Sequence, residues 1–155
     1  MMYYHFMEAI RKNEYFLVRD LTGEIMQAPE TAHYRTLPEE ELYRRVHQII
    51  YHLYKRHANC LKRDSSRNTM GTWYSRLGQE RFNEGFPLDQ VLNAFILIRK
   101  RIMRCAAERM LPEDWGANGA SRLYWNVSLF FDAVARSVDT GYRSGSAPGA
   151  DAEAR

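Results

Sequence analysis

Between Leu88 and Ala106 the apolar residues Leu88, Val91, Leu92, Phe95, Ile98, Ile102, Met103 and Ala106 recur mostly at steps of three and four. That rhythm is the period of an α-helix with a broad apolar stripe; a strand would alternate its faces at every second residue. So wide a stripe has to be covered from more than one side, and the rest of the chain must supply the cover. Four further stretches carry helical periodicity, and none alternates convincingly as a strand. The first runs from about Tyr3 to Leu21 with Tyr3, Phe6, Met7, Ile10, Leu17 and Leu21 on one side, and Gly23 and Pro29 bracket a loop after it. In the second, Thr36-Leu37-Pro38-Glu39 reads as a capping box with Pro38 in the first turn, followed by Leu42, Val46, Ile49, Ile50, Leu53 and His57.

The third stretch, about Ser65 to Glu84, sets Met70, Trp73, Tyr74, Leu77 and Arg81 on one face, and Gly85 is placed to end it as a left-handed cap. Pro87 opens the central helix already described. A turn at 111–116 leads to the last stretch, from near Ser121 to Tyr142, with Leu123, Val127, Phe130, Phe131, Val134 and Val138 inward. The expected fold is all-α, with five or six helices arranged as a globin-like domain or a helical bundle. Residues 1–142 form one domain, and 143–155, rich in Ser, Gly and Ala, form a flexible tail or linker.

The chain has 155 residues, 26% of them charged, and a net charge of +3, too mild for a dedicated nucleic-acid binder. The N-terminus lacks the basic-then-apolar order of a signal peptide, and no apolar run is long enough to span a bilayer, so a cytoplasmic protein is expected. Cys60 and Cys105 lie far apart without a CxxC pairing and read as reduced thiols.

Chemistry-bearing patterns are sparse. His47, His52 and His57 step by five, so each is turned far from the last and they do not converge as metal ligands. His57 is read as flanking the core and the other histidines as solvated. No histidine follows His57, which argues against a globin-type haem. There is no nucleophile elbow and no phosphate loop, so no catalytic residue, metal or cofactor is assigned. The basic clusters at Lys55-Arg56, Lys62-Arg63 and Arg99-Lys100-Arg101 read as solvated helix faces. Arg81 on an apolar face and Asp132 after the Phe130-Phe131 pair suggest a core-edge ion pair, a surface pair of Asp132 with Arg136 at i, i+4, or the polar anchor of a pocket lined by Trp73, Leu77, Phe95 and Phe130. Tyr4, Tyr15, Phe16 and Val18 on the first helix, with Tyr124 and Trp125 on the last, exceed what one buried face needs and mark a candidate homodimer surface.

One set of short blocks goes beyond periodicity: Tyr34-Arg35-Thr36-Leu37-Pro38-Glu39-Glu40-Glu41-Leu42, Leu77-Gly78-Gln79-Glu80-Arg81-Phe82, Glu84-Gly85-Phe86-Pro87-Leu88, Phe130-Phe131-Asp132 and Gly141-Tyr142. In order and spacing they resemble the N-terminal sensor domain of RsbT co-antagonist (RsbRD-type) proteins, which also precedes bacterial histidine kinases. The resemblance covers about Tyr3 to Tyr142. It implies a non-enzymatic, often dimeric bacterial input domain of stress signalling, globin-like without haem, that passes a signal to an output domain. No such output domain follows Tyr142, so the chain is read as a fragment or as acting in trans on a signalling partner. The rival readings are a small-molecule or haem-binding globin-like sensor or carrier, with an apolar pocket of some hundreds of Å3, and a nucleic-acid-binding regulator.

Overall fold

A computed structural model describes residues 2–59 and 66–146. The described residues are almost wholly helical: α1 (Met2–Gln27), a 3₁₀ segment (Pro29–Thr36), α2 (Glu39–Asn59), α3 (Ser66–Asn83), α4 (Leu88–Arg109), the short α5 (Pro112–Trp115) and α6 (Gly119–Ser146). Five long helices answer the five periodic stretches, and two short elements bring the total to seven, slightly above the expected count. The last helix runs on to Ser146, past the expected domain boundary at Tyr142.

Two local expectations are corrected. Gly23 does not end α1, which continues to Gln27. Leu21, Thr22 and Ile25 around it are all at most 1% exposed, and burying them outweighs the roughly 1 kcal/mol that a glycine costs a helix. The helix ends instead where Arg35 folds back, donating from Nε to the Met26 carbonyl at 2.8 Å and from Nη2 to that of Gln27 at 3.1 Å. A cation at a helix C-terminus also suits the helix dipole.

Thr36 does not cap α2 either. Its hydroxyl donates to the His33 carbonyl at 2.8 Å, and the Pro38 carbonyl accepts the first bonds of the helix, from Glu41 and Leu42. The reason is Pro38 itself, which disfavours helical geometry at the residue before it and leaves Leu37 extended at φ −90°, ψ 147°.

The expected stripes otherwise face a single core. Leu42, Val46, Ile49, Ile50 and Leu53 are buried on α2; Val91, Phe95, Ile98, Ile102 and Ala106 on α4; and Leu123, Val127, Phe130, Phe131, Val134 and Val138 on α6. The His57 side chain and Cys60 lie outside what is described. Helix α4 packs against α1, α6 and the 3₁₀ segment.

The tightest contact joins α3 and α6, which run parallel: Gly71 lies beside Ser137, Gly78 against Val138, Gly141 against Ser75, and Gly145 against Phe82. A Cβ on Gly78 would stand 3.0 Å from the Val138 Cα, and one on Gly141 would stand 2.8 Å from the Gln79 nitrogen. Only glycine lets the two backbones come this close. At the end of α3, Gly85 takes φ +82°, the Phe86 amide donates to the Arg81 carbonyl at 3.0 Å, and the Gly85 amide donates to that of Phe82. These are the bonds of a Schellman cap. They end α3 as expected and turn the chain into α4.

Candidate functional site

Where α2 begins and α3 ends, a chain of charges crosses between them. Arg44 grips Glu41 through Nε at 3.0 Å and Nη2 at 2.7 Å. Arg45 donates from Nε to Glu41 at 2.8 Å and through both terminal nitrogens to Glu84, at 3.1 and 3.2 Å. Arg81, only 7% exposed, completes the chain with a 2.8 Å bond to Glu84. Hydrogen bonds from Arg44 and then Arg45 hold the Glu41 carboxyl down to about 2. At Glu84 burial pushes upward, but the bonds from Arg45 and the charge of Arg81 outweigh it, and its pKa also falls below the ordinary value.

Beside this chain lies a cavity of about 20 Å3. Ile25, Leu42, Val46, Ile49, Leu77, Ala94, Phe95 and Ile98 line it, with Tyr34, Arg45 and Arg81 as its polar members. Burial drives the Tyr34 phenol far above its usual range. Tyr142, on α6, donates its hydroxyl to the Phe86 carbonyl at 2.7 Å, and burial pushes it up to about 12. A space of this size holds about one water molecule and no organic ligand. The carboxylates stay ionised and the phenols neutral at neutral pH, so the junction offers fixed charge rather than proton transfer.

Of the residues read from sequence as a pocket, Leu77, Arg81 and Phe95 meet at this cavity. Trp73 lies on another side of Tyr74, its ring 4.4 Å from that of His52. Phe130 is fully buried, edge-on to Tyr74 at 6.4 Å and to Phe131 at 5.1 Å. Asp132 is exposed, as its surface reading expects and against its reading as a core-edge partner of Arg81. With Phe130, Phe131, Val134 and Val138 all turned inward, the phase of α6 points position 132 to solvent, and the buried arginine takes Glu84 instead. Tyr34, Arg45 and Glu84 were not singled out from sequence as site residues. The spacing of Glu41 and Arg45, one helical turn apart, was the available signal.

Of the histidines read as solvated, His47 is exposed as expected, while His5, His33 and His52 are partly buried. His47 pairs with Glu14 at 2.9 Å and His5 with Asp114 at 3.3 Å. His52 is half-buried, with Nδ1 3.0 Å from the Tyr74 hydroxyl, and burial, then the charge of Lys55, lowers its pKa below 6.5. Among the described residues, no three His, Cys, Asp or Glu side chains cluster so as to hold a metal ion. Cys105 is a buried free thiol whose pKa burial raises.

The surplus aromatics form a second candidate site. Tyr4, Tyr15, Phe16, Tyr124 and Trp125 are 63, 60, 55, 57 and 64% exposed, whereas Val18, counted with them from sequence, is fully buried in the core. The Arg19 guanidinium lies 5.8 Å from the Tyr15 ring centre and 5.2 Å from that of Phe16. Asn126 donates to the Tyr3 hydroxyl, so exposed Tyr4 and Trp125 flank one joint between α1 and α6. Large apolar rings in water at such exposure are costly unless something covers them.

No curated protein matches the chain, and no solved structure does. One family model does, that of the RsbT co-antagonist protein RsbRD N-terminal domain, and it spans residues 17–155. The blocks that suggested the resemblance fall where the structure is tightest. Gly78 and Gly141 make the α3–α6 seam, while Tyr34, Arg81, Glu84 and Tyr142 surround the charged junction and its cavity. With a match over most of its length, this chain belongs to the RsbRD N-terminal domain family.

Proposed function

We propose that this domain is the input module of a bacterial stress-signalling relay, acting as a homodimer on a protein partner or an attached output domain. The family match over residues 17–155 carries the regulatory reading. The dimer rests on the exposed aromatics of α1 and α6, residue types enriched in protein interfaces. The parallel α3–α6 seam supports a mechanism: at Gly78 and Gly141 backbone meets backbone with no side chain between to give way, so a shift of α3 carries α6 with it as a rigid unit. A protein partner suits the cavity better than a carrier role does, since the cavity has room for a water and not for a haem or lipid. Among the described residues no helix is long and apolar enough to cross a membrane, and the proposal assigns the domain to the cytoplasm.

Sedimentation at micromolar concentration tests the dimer. The expected result is a two-fold species that Tyr4→Ser with Tyr124→Ser dissociates without loss of helical content. A strictly monomeric wild type removes the dimer, and a dimer indifferent to both substitutions removes this surface. A stress-promoter reporter in the host tests the relay: the dissociating pair should shift its output, and an unchanged output with the dimer lost would overturn the signalling role.

A further inference from the structure

On the outer side of α4, Asn93, Ile96, Lys100 and Arg104 follow one another at three- and four-residue steps, opposite buried Val91, Phe95, Ile98 and Ile102, and Leu97 at the edge packs partly against the core. Helix α4 carries five cations, Arg99, Lys100, Arg101, Arg104 and Arg109, against two carboxylates, Asp89 and Glu108. That positive excess is larger than on any other helix of the chain.

The placement is electrostatically unfavourable for the isolated domain. Lys100 and Arg104 are like charges one turn apart, an arrangement that weakens a helix. Neither has an ion pair among the described residues, although Glu108 stands four residues beyond Arg104. Some exposed cations on other helices are answered locally, Arg11 by Glu8, Arg44 by Glu41 and Arg143 by Asp139. Arg101, at the edge of the face, has only a 3.7 Å approach to Glu24, and its buried Nε lacks a hydrogen-bond partner. Ile96 adds an aliphatic side chain that is 39% exposed amid these charges.

Unanswered positive charge around an exposed aliphatic residue is the complement of an acidic protein surface with an apolar centre. The geometry points to this face of α4 as the docking surface for the acidic face of a regulatory protein partner. A second copy of the chain is disfavoured there, because two such faces repel, and the aromatic faces of α1 and α6 remain the self-association surface. Nucleic acid fits less well: the outer face of α4 offers no exposed aromatic for base stacking, and aliphatic Ile96 occupies its middle. The inference rests on the reading that the domain works through a protein partner.

The test titrates the isotopically labelled domain with a synthetic amphipathic peptide whose glutamates flank a leucine face, and separately with random-sequence duplex DNA. Expected are amide shifts centred on Ile96, Leu97, Lys100 and Arg104, with binding that weakens as salt rises. Lys100→Glu with Arg104→Glu should reduce peptide affinity about tenfold or more. Lys100→Glu alone places a carboxylate one turn before Arg104, so it should keep or raise the melting temperature while weakening binding, which separates docking from folding. Shifts centred on another face, an affinity indifferent to Lys100→Glu, or tighter binding of DNA than peptide at equal salt would overturn the docking surface. The family assignment and the dimer would stand in each of those cases.

Discussion

Two contacts hold α3 in place, and they work by different physics. Along its length α3 meets α6 through glycines, with backbone nearly against backbone at Gly78 and Gly141, the Phe82 ring against Gly145, and no charge involved. At its end α3 meets α2 through Arg81, Glu84, Arg45 and Glu41, side chains long enough to adjust their geometry. Contact by shape fails abruptly, because a methyl group cannot be accommodated between two backbones. Contact by charge fails gradually, because solvent and neighbouring guanidinium groups compensate a lost partner. A signalling domain can use both, a rigid seam to transmit displacement and an adjustable junction to set its resting position.

The largest expected effect follows from breaking the seam. Gly141→Ala sets a methyl group into the Ser75 and Gln79 backbone and should cost about 3 kcal/mol or more. Chemical denaturation measures it, and a loss below that of Gly85→Ala would mean that the seam has slack. Next comes the junction: Arg81→Met removes one cation from buried surroundings and should cost about 2 kcal/mol, reduced because Arg45 still neutralises Glu84. If Arg81→Met melts with wild type, the junction contributes nothing to stability and the contrast drawn here fails.

Gly85→Ala sharpens the comparison, since its Cβ would meet nothing within 4 Å and the strain comes only from φ +82°. A cost of about 1 kcal/mol is expected. Gly23→Ala, equally uncrowded but inside α1 with no φ strain, should shift stability the other way by up to about 1 kcal/mol. Equal signs for this pair would contradict the α1 boundary or the cap.

The smallest effect is the pH response of the junction. Glu41 and Glu84 have folded pKa values below the 4.5 of the free group, so the folded state favours their ionised forms. Their contribution is complete above that value and is lost as pH falls through their lowered folded values, which for Glu41 is about 2. Glu41 is partly exposed, and solvent screening keeps its share to less than about 1 kcal/mol. Melting followed from pH 7 to pH 3 should show a shallower acid decline in Glu41→Gln than in wild type. The seam carries no titrating group, so Gly78→Ala should lower the curve without changing its slope.

The helices were legible because burial stripes repeat within each segment. Leu42 to Leu53 and Leu123 to Val138 need no knowledge of their neighbours to be read as inward faces. Gly85 was legible for the same reason, since a glycine between a periodic run and Pro87 has one local use. The exposed state of Tyr4, Tyr15, Phe16, Tyr124 and Trp125 agrees with counting more aromatics than one face can bury. The junction is only partly visible: Arg81 stands out on an apolar face, but nothing local separates Asp132 from Glu84 as its partner, and the structure gives it Glu84, three residues away in the cap.

Local sequence therefore determined the all-α class, the inward faces, the α3 stop and the family-bearing blocks. Each depends on residues within one or two turns of one another, where chain geometry alone sets distance. Tertiary structure alone decided that Gly78 meets Val138 and Gly141 meets Ser75, that Arg45 reaches Glu84, that Tyr34 closes the cavity and that Asp132 stays in water. Those outcomes depend on how whole helices rotate and slide against each other, which is set by packing the entire core at once.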